Sequence, residues 1–184
     1  MTTQHVPNVL TIGAHAPEFD LPGTDGNSYS LESFAGSRAL AVIFLANHCP
    51  YVSAWEDRIL AIARHFADRG AAFVGISAND VDKFPQDAPD EMRKRVEEKQ
   101  YPFPYLYDED QSVARAFGAV RTPEVFLFDG ERHLRYHGAV DSDWEESATM
   151  QNYLRDALNA LLFTSQEPLQ DETPVVGCTI KWKA

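Results

Sequence analysis

The chain has 184 residues, of which 44% are hydrophobic and 24% charged, values typical of one globular domain with a full-sized core. Its formal net charge of −12 argues against nucleic acid or an anionic membrane as a partner, because both attract a basic face. No secretory signal and no membrane-spanning run is apparent in the sequence. Two cysteines are too few for a disulfide framework. A cytoplasmic location is expected.

The first predicted element is a β-hairpin near the N-terminus. Asp25-Gly26 is typical of a tight turn, and it separates two short strand-like stretches at residues 18–21 and 28–31. The preceding residues 1–9 are expected to form a loose tail, and residues 31–34 to form a short turn.

A buried strand followed by a helix is predicted next. Residues 40–45 are continuously apolar, which is typical of a strand covered on both faces. The apolar positions that follow recur at the three- and four-residue intervals of a helix face: Trp55, Ile59, Ile62 and Phe66. Cys49 and Pro50 therefore lie where the strand gives way to the helix, and Pro50 suits the first helical turn.

The remaining pattern predicts an α/β fold with a central mixed sheet flanked by helices. A strand over residues 72–76 completes a right-handed βαβ unit with the preceding strand and helix. The later elements are a charged helix over 91–100, an edge strand over 105–107, a short helix from Asp110 to Phe117, a hairpin of residues 125–128 and 133–137, and a closing helix over 150–163. We predict a domain over residues 1–163 and a C-terminal tail, residues 164–184, that carries Cys178.

The position of Cys49 indicates a reactive thiol. A sulfur at the start of a helix faces unpaired backbone N–H groups and the positive end of the helix dipole, and both favour the thiolate form. The competing interpretation is a buried cysteine that packs as a small hydrophobic residue. The strand–Cys-Pro–helix placement favours the reactive thiol.

Four stretches resemble the thioredoxin-fold superfamily, and more closely its peroxiredoxin-like branch of the alkyl hydroperoxide reductase and thiol-specific antioxidant type. They are residues 13–19 with Asp25-Gly26, Cys49-Pro50, the segment 118–125 around Thr122-Pro123, and the ending 177–183, so the resemblance extends over nearly the whole chain. The resemblance implies a thioredoxin-like fold with a cis-proline at Pro123, in a loop that faces Cys49. It also implies that the Thr122 backbone holds a substrate or peptide near the sulfur.

The chain departs from the family pattern in three places. A second cysteine of a Cys-x-x-Cys motif is absent, since Ala46 and Val52 stand three residues before and after Cys49. Ala46 also replaces the Thr or Ser that binds peroxide in typical peroxiredoxins. Peroxiredoxins also use an arginine near the position at which this chain has Pro123. Arg121, two residues away, is the candidate for that role.

Two further residues are candidates for the chemistry of Cys49. His48 is expected either to support the thiolate and donate a proton to a leaving oxygen, or to point away from the sulfur. Cys178 either packs against Trp182 or acts as a resolving thiol for oxidised Cys49, within one chain or across a homodimer. The ending resembles the resolving-cysteine tail of two-cysteine peroxiredoxins, which favours the second interpretation.

The other titratable residues are predicted to have structural or solvated roles. This prediction covers the histidines His5, His15, His65, His133 and His137, and the acidic group Asp141, Asp143, Glu145 and Glu146, which is expected to be a solvated helix start. Glu124 is expected near the cysteine, with its role open. No bound metal is expected, because no cluster of Cys and His has ligand spacing, and no organic cofactor is expected either.

The leading hypothesis is a thiol-dependent oxidoreductase that reduces peroxides or disulfides through Cys49. Cys178 or an external thiol, such as a thioredoxin-type protein, then resolves the oxidised cysteine. The alternative is a thioredoxin-fold binding module that has lost catalysis and binds a metal or a thiol adduct. The absence of a Cys-x-x-Cys motif is the feature that favours this alternative.

Overall fold

The computed structural model describes residues 10–184, and the predicted N-terminal tail with His5 lies outside these residues. The strands within residues 10–184 are β1 (Asp20–Pro22), β2 (Ser28–Ser30), β3 (Ala39–Phe44), β4 (Ala71–Ser77), β5 (Tyr105–Tyr107), β6 (Arg121–Thr122), β7 (Glu124–Asp129), β8 (Leu134–Gly138) and β9 (Cys178–Thr179). The α-helices of the same residues are α1 (Pro50–Phe66), α2 (Pro89–Lys99), α3 (Ser112–Phe117) and α4 (Tyr153–Asn159).

Five strands form the central mixed sheet in the order β5-β4-β3-β7-β8. Strands β3, β4 and β5 run parallel, whereas β7 and β8 are antiparallel to their neighbours. The predicted βαβ unit, the N-terminal hairpin of β1 and β2 and the hairpin of β7 and β8 are all confirmed. The α/β fold class and the mixed sheet are therefore as predicted.

The sheet is covered on both faces, which explains the uninterrupted apolar sequence of β3. Every residue of this strand is fully buried. One face of the sheet packs against α1 and α4, through residues that include Trp55, Ile59 and Leu158. The other face packs against the N-terminal hairpin and α3, where Phe44, Phe117 and Phe126 contact each other edge to face.

The predicted closing helix over residues 150–163 is wrong in its extent and form. The α-helix begins only at Tyr153, and from Ala160 to Thr164 it continues as a π-helix. Residues before Tyr153 are held in a loop, because the backbone N–H of Gln151 donates to the Ser142 hydroxyl at 2.8 Å. A competing side-chain partner thus delays the start of the helix.

The C-terminal residues pack onto the domain. Strand β9 pairs antiparallel with β6, and Ile180 is buried in the same core as α3. Upstream, the backbone N–H of Thr173 donates to the His137 carbonyl at 3.0 Å, so the segment is held to β8 as well. Within residues 10–184, no helix combines the length and the apolar character needed to cross a lipid bilayer.

Candidate active site

Cys49 lies at the start of α1, as the sequence predicts. Its backbone is extended (φ −78°, ψ 120°) and Pro50 is the first helical residue. The first helical hydrogen bond runs from the Ser53 N–H to the Cys49 carbonyl at 3.0 Å. The junction between β3 and α1 therefore places the sulfur at the carboxyl end of a central strand.

The Cys49 sulfur does not bind the free N–H groups of the helix, which is a correction to the sequence-based expectation. The side chain is fully buried and makes no capping hydrogen bond; instead Sγ donates to the Thr122 carbonyl at 3.3 Å. A protonated thiol is a donor and needs an acceptor, so it turns to the carbonyl that faces it.

The loop opposite Cys49 has the predicted geometry. The Thr122–Pro123 peptide bond is cis, and Thr122 is buried. The role of Glu124, left open by the sequence, is to hold this loop: its buried carboxylate accepts the N–H groups of Val120 (2.8 Å) and Arg121 (2.9 Å). His137 donates to the same carboxylate through Nε2 at 2.7 Å, in keeping with the predicted structural role of that histidine.

The tail brings Cys178 to the same loop. In the β6–β9 ladder Cys178 is the partner of Thr122, whose carbonyl already accepts the Cys49 thiol. Gly177 lies so close to this loop that a Cβ atom there would be 2.1 Å from the Thr122 carbonyl oxygen. Arg121, the candidate active-site arginine, donates through Nη1 to the Gly177 carbonyl at 2.9 Å and thus binds the tail.

The tail is fixed on the far side of Cys178 by several contacts. The Ile180 N–H donates to the Val120 carbonyl at 2.9 Å, and the Lys181 N–H donates to Asn79 Oδ1 at 2.8 Å. The Trp182 ring lies 4.5 Å from the guanidinium of Arg115. Cys178 packs against the core cluster that contains Cys49. The interpretation of Cys178 as a cysteine packed on Trp182 does not explain this contact.

The two thiols interact electrostatically. Burial, and after it a hydrogen bond with Cys49, together raise the pKa of the Cys178 thiol from 9.0 to about 11. Cys178 is therefore held as the neutral thiol at physiological pH. The neutral thiol is a weak nucleophile.

His48 is turned toward Asp87, a residue that the sequence analysis does not single out. Nδ1 of His48 contacts Oδ2 of the buried Asp87 carboxylate, and the ring stacks on Phe84 with 4.9 Å between ring centroids. Asp87 lies 39 residues after His48, in a polar loop with no motif of its own. Only the folded chain brings them together, so no local sequence signal identifies Asp87.

The acidic group after β8 is wrongly predicted to be solvated at Asp141. This carboxylate is buried, and it accepts the indole N–H of Trp55 at 2.7 Å and Nη1 of Arg58 at 2.6 Å. It anchors α1 instead of starting a helix. In the described part of the chain, no group of three or more His, Cys, Asp or Glu side chains is arranged to hold a metal ion.

Comparison with known proteins agrees with this fold. The AhpC/TSA family profile matches residues 12–137. A Mycobacterium tuberculosis protein provisionally named a peroxiredoxin is 28% identical over 134 residues, which cover 73% of this chain and 80% of that protein. The crystal structure of a hypothetical protein from Sinorhizobium meliloti 1021 has a TM-score of 0.90 and 38% identity over 96% of this chain and 97% of that one.

A more distant structure supports the fold alone. Peroxidoxin BcpB of Mycobacterium tuberculosis has a TM-score of 0.58 at 22% identity, over 68% of this chain and 83% of that chain. The mixed sheet, the helices that flank it and the cis-proline loop define a thioredoxin-like fold. The chain belongs to the AhpC/TSA family, and it is an enzyme of thiol-dependent peroxide or disulfide reduction.

Proposed function

We propose that Cys49 is the nucleophile of this enzyme and that Cys178 of the same chain resolves its oxidised form. The observation that carries the proposal is the convergence of both cysteines on Thr122, one through its thiol and the other through the β6–β9 ladder. Thr122, Pro123 and Arg121 are proposed to hold the tail in this register. Because one chain supplies both thiols, the proposal needs no second subunit, and a homodimer is not required for the chemistry.

The proposed reaction has three steps that balance. The Cys49 thiolate attacks a hydroperoxide oxygen, the O–O bond breaks, and the leaving alkoxide or hydroxide takes up a proton, for which His48 is the proposed donor. The Cys178 thiol then attacks the Cys49 sulfenic acid, which forms the disulfide and releases water. An external dithiol of the thioredoxin type reduces this disulfide and is itself oxidised.

The state of Cys178 supports this assignment of roles. Its raised pKa keeps it protonated, so it does not compete with Cys49 for the first oxidation. As the resolving group it reacts with a sulfenic acid held close by, where proximity compensates for weak nucleophilicity. A disulfide-bonded substrate would be attacked at Cys49 in the same way, with Cys178 releasing it from the mixed disulfide.

Cycling between dithiol and disulfide calls for a reducing compartment, and the cytoplasm is the proposed location. The binding-module alternative has less support. The partner thiol absent from a Cys-x-x-Cys motif is supplied here by the tail, and residues 10–184 offer no metal-ligand cluster.

The experiment that tests the proposal is mass spectrometry of the non-reduced protein after a brief pulse of hydrogen peroxide. The expected product in the wild-type protein is an intrachain Cys49–Cys178 disulfide, two mass units lighter than the dithiol. Cys178→Ser should accumulate a sulfenic acid on Cys49, and Cys49→Ser should remain unmodified at Cys178. An intersubunit bond would contradict the single-chain mechanism, and oxidation that persists in Cys49→Ser would overturn the assignment of the nucleophile.

A further inference from the structure

The loop that precedes Cys49 is held by one buried carboxylate. Asp87 Oδ1 accepts the backbone N–H of Asn47 at 2.7 Å and that of His48 at 3.1 Å. Oδ2 contacts Nδ1 of His48 and accepts Nδ2 of Asn79 at 2.9 Å. The side chain of Asp87 is fully buried. A buried carboxylate is costly unless donors surround it, and three of these four donors belong to the segment next to the nucleophile.

We propose that Asp87 is the positioning residue of His48. By accepting a hydrogen bond from Nδ1–H, the Asp87 carboxylate fixes the tautomer and orientation of the imidazole. Nε2 is then the nitrogen that exchanges a proton when Cys49 reacts. The inference rests on the function proposed above, to which it adds a residue and the atom of His48 that acts. Asp87 itself touches neither substrate nor sulfur in this role.

The surroundings of the ring support a fixed orientation. Phe84 stacks on the imidazole with an interplanar angle of 9°, which prevents the ring from tilting. The same carboxylate binds both the backbone and the side chain of His48. Because the backbone contact keeps the carboxylate beside the ring, rotation of the ring would break the hydrogen bond at Nδ1. Among residues 10–184, Nε2 of His48 has no hydrogen-bond partner.

The other charged groups of this region act elsewhere. Asp80 pairs with Lys83 at 3.4 Å, and the Lys181 ammonium lies 5.7 Å from the Phe84 ring, on which His48 stacks. Asn79 connects Asp87 to the tail, because its Oδ1 accepts the Lys181 N–H while its Nδ2 binds the carboxylate. Asp87 is thus the only carboxylate of the described residues that binds the His48 ring.

His48 is needed in the first step because the leaving oxygen must receive a proton. When Cys49 takes an oxygen atom from a hydroperoxide, the S–O bond forms, the O–O bond breaks and the leaving oxygen carries a negative charge. Nε2 first takes up the proton that the Cys49 thiol loses as the thiolate forms, and it then gives that proton to the leaving oxygen, which returns the imidazole to its Nδ1-protonated form. General acids in this role contribute rate factors of about 10²–10⁴. A misaligned imidazole loses part of that factor.

The test is a double-mutant cycle on the rate of Cys49 oxidation. In a Cys178→Ser background, the second-order rate constant for sulfenic acid formation by hydrogen peroxide is measured by trapping and mass spectrometry. We expect Asp87→Asn to lower it about tenfold or more when His48 is present, and less than about twofold in His48→Asn, which keeps a donor near Nδ1 but exchanges no proton. Asp80→Asn, a buried carboxylate of the same loop, is the matched control with a change below about twofold.

A loss of equal size in both backgrounds would mean that Asp87 only supports the loop, and it would overturn the proposal. The ¹⁵N shifts of the His48 imidazole give an independent readout. We expect the neutral form of the ring to be protonated at Nδ1 in the wild-type protein, and to be a mixture of tautomers in Asp87→Asn. A neutral form protonated at Nε2 in the wild type contradicts the proposal even where Asp87→Asn fails to fold. Failure of the proposed function is a separate result, seen as a wild-type Cys49 that peroxide does not oxidise.

Discussion

Gly177→Ala tests whether contact between the tail and the cis-proline loop controls resolution. The added Cβ atom would lie 2.1 Å from the carbonyl oxygen and 2.8 Å from the carbonyl carbon of Thr122, both backbone atoms that cannot move aside cheaply. Overpacking of this kind costs about 1–3 kcal/mol. If that cost falls on the docked state of β9, the ratio of docked to undocked tail decreases about 5- to 150-fold, because each 1.4 kcal/mol is a factor of ten.

The assay follows the conversion of the Cys49 sulfenic acid to disulfide after one equivalent of hydrogen peroxide. We expect the first oxidation to be at least as fast as in the wild type, since the tail packs less against the core cluster that contains Cys49, and disulfide formation to be slower by up to the factor above. Gly36→Ala is the matched control, because nothing lies within 4 Å of a Cβ atom at that position. Disulfide formation at the wild-type rate in Gly177→Ala would refute the reasoning.

Three further predictions concern the thiol, the tail and the core. The alkylation rate of Cys178 should keep rising toward pH 11 instead of levelling near pH 9.0, because the raised pKa shifts formation of the thiolate to higher pH. Peptide mapping at a series of pH values checks this, and a plateau at pH 9.0 would contradict it. Ile180→Ala should weaken docking of the tail by roughly 2–5 kcal/mol, seen as faster amide hydrogen exchange in β9, whereas unchanged exchange would show that burial of Ile180 does not hold the tail. Asp141→Ala should lower the free energy of unfolding by about 3–5 kcal/mol in urea, since Arg58 and Trp55 lose their buried acceptor; a loss below about 1 kcal/mol would contradict that role.

The sequence predicts those features that depend on neighbouring residues. The apolar run of β3, the spacing of α1 and the Pro at its first turn are local patterns, and together they place Cys49 correctly. The cis-proline loop is predicted through family resemblance, because an X–Pro bond is cis in only about 5–6% of cases and its sequence alone does not decide it.

Features that depend on distant contacts are missed. Asp87 binds a ring 39 residues away, and Asp141 binds Arg58 across 83 residues, so neither pairing leaves a periodic signal. Strand β9 has two residues, too few to show an alternation, and its partner is determined by the position of Thr122. The direction of the Cys49 thiol is missed for a related reason, because the helix supplies the local field while the facing loop supplies the nearest acceptor.

The location of Cys178 near the end of the chain has a consequence for heat resistance. A bond between the two sulfurs would tie the start of the first long helix to the C-terminal strand and enclose residues 49–178 in a covalent ring. By the chain-entropy relation, a ring of this size reduces the freedom of the unfolded polypeptide by on the order of 4–5 kcal/mol. The oxidised enzyme should therefore melt at a higher temperature than the reduced one, which would make its melting temperature a direct record of how far its catalytic cycle has advanced.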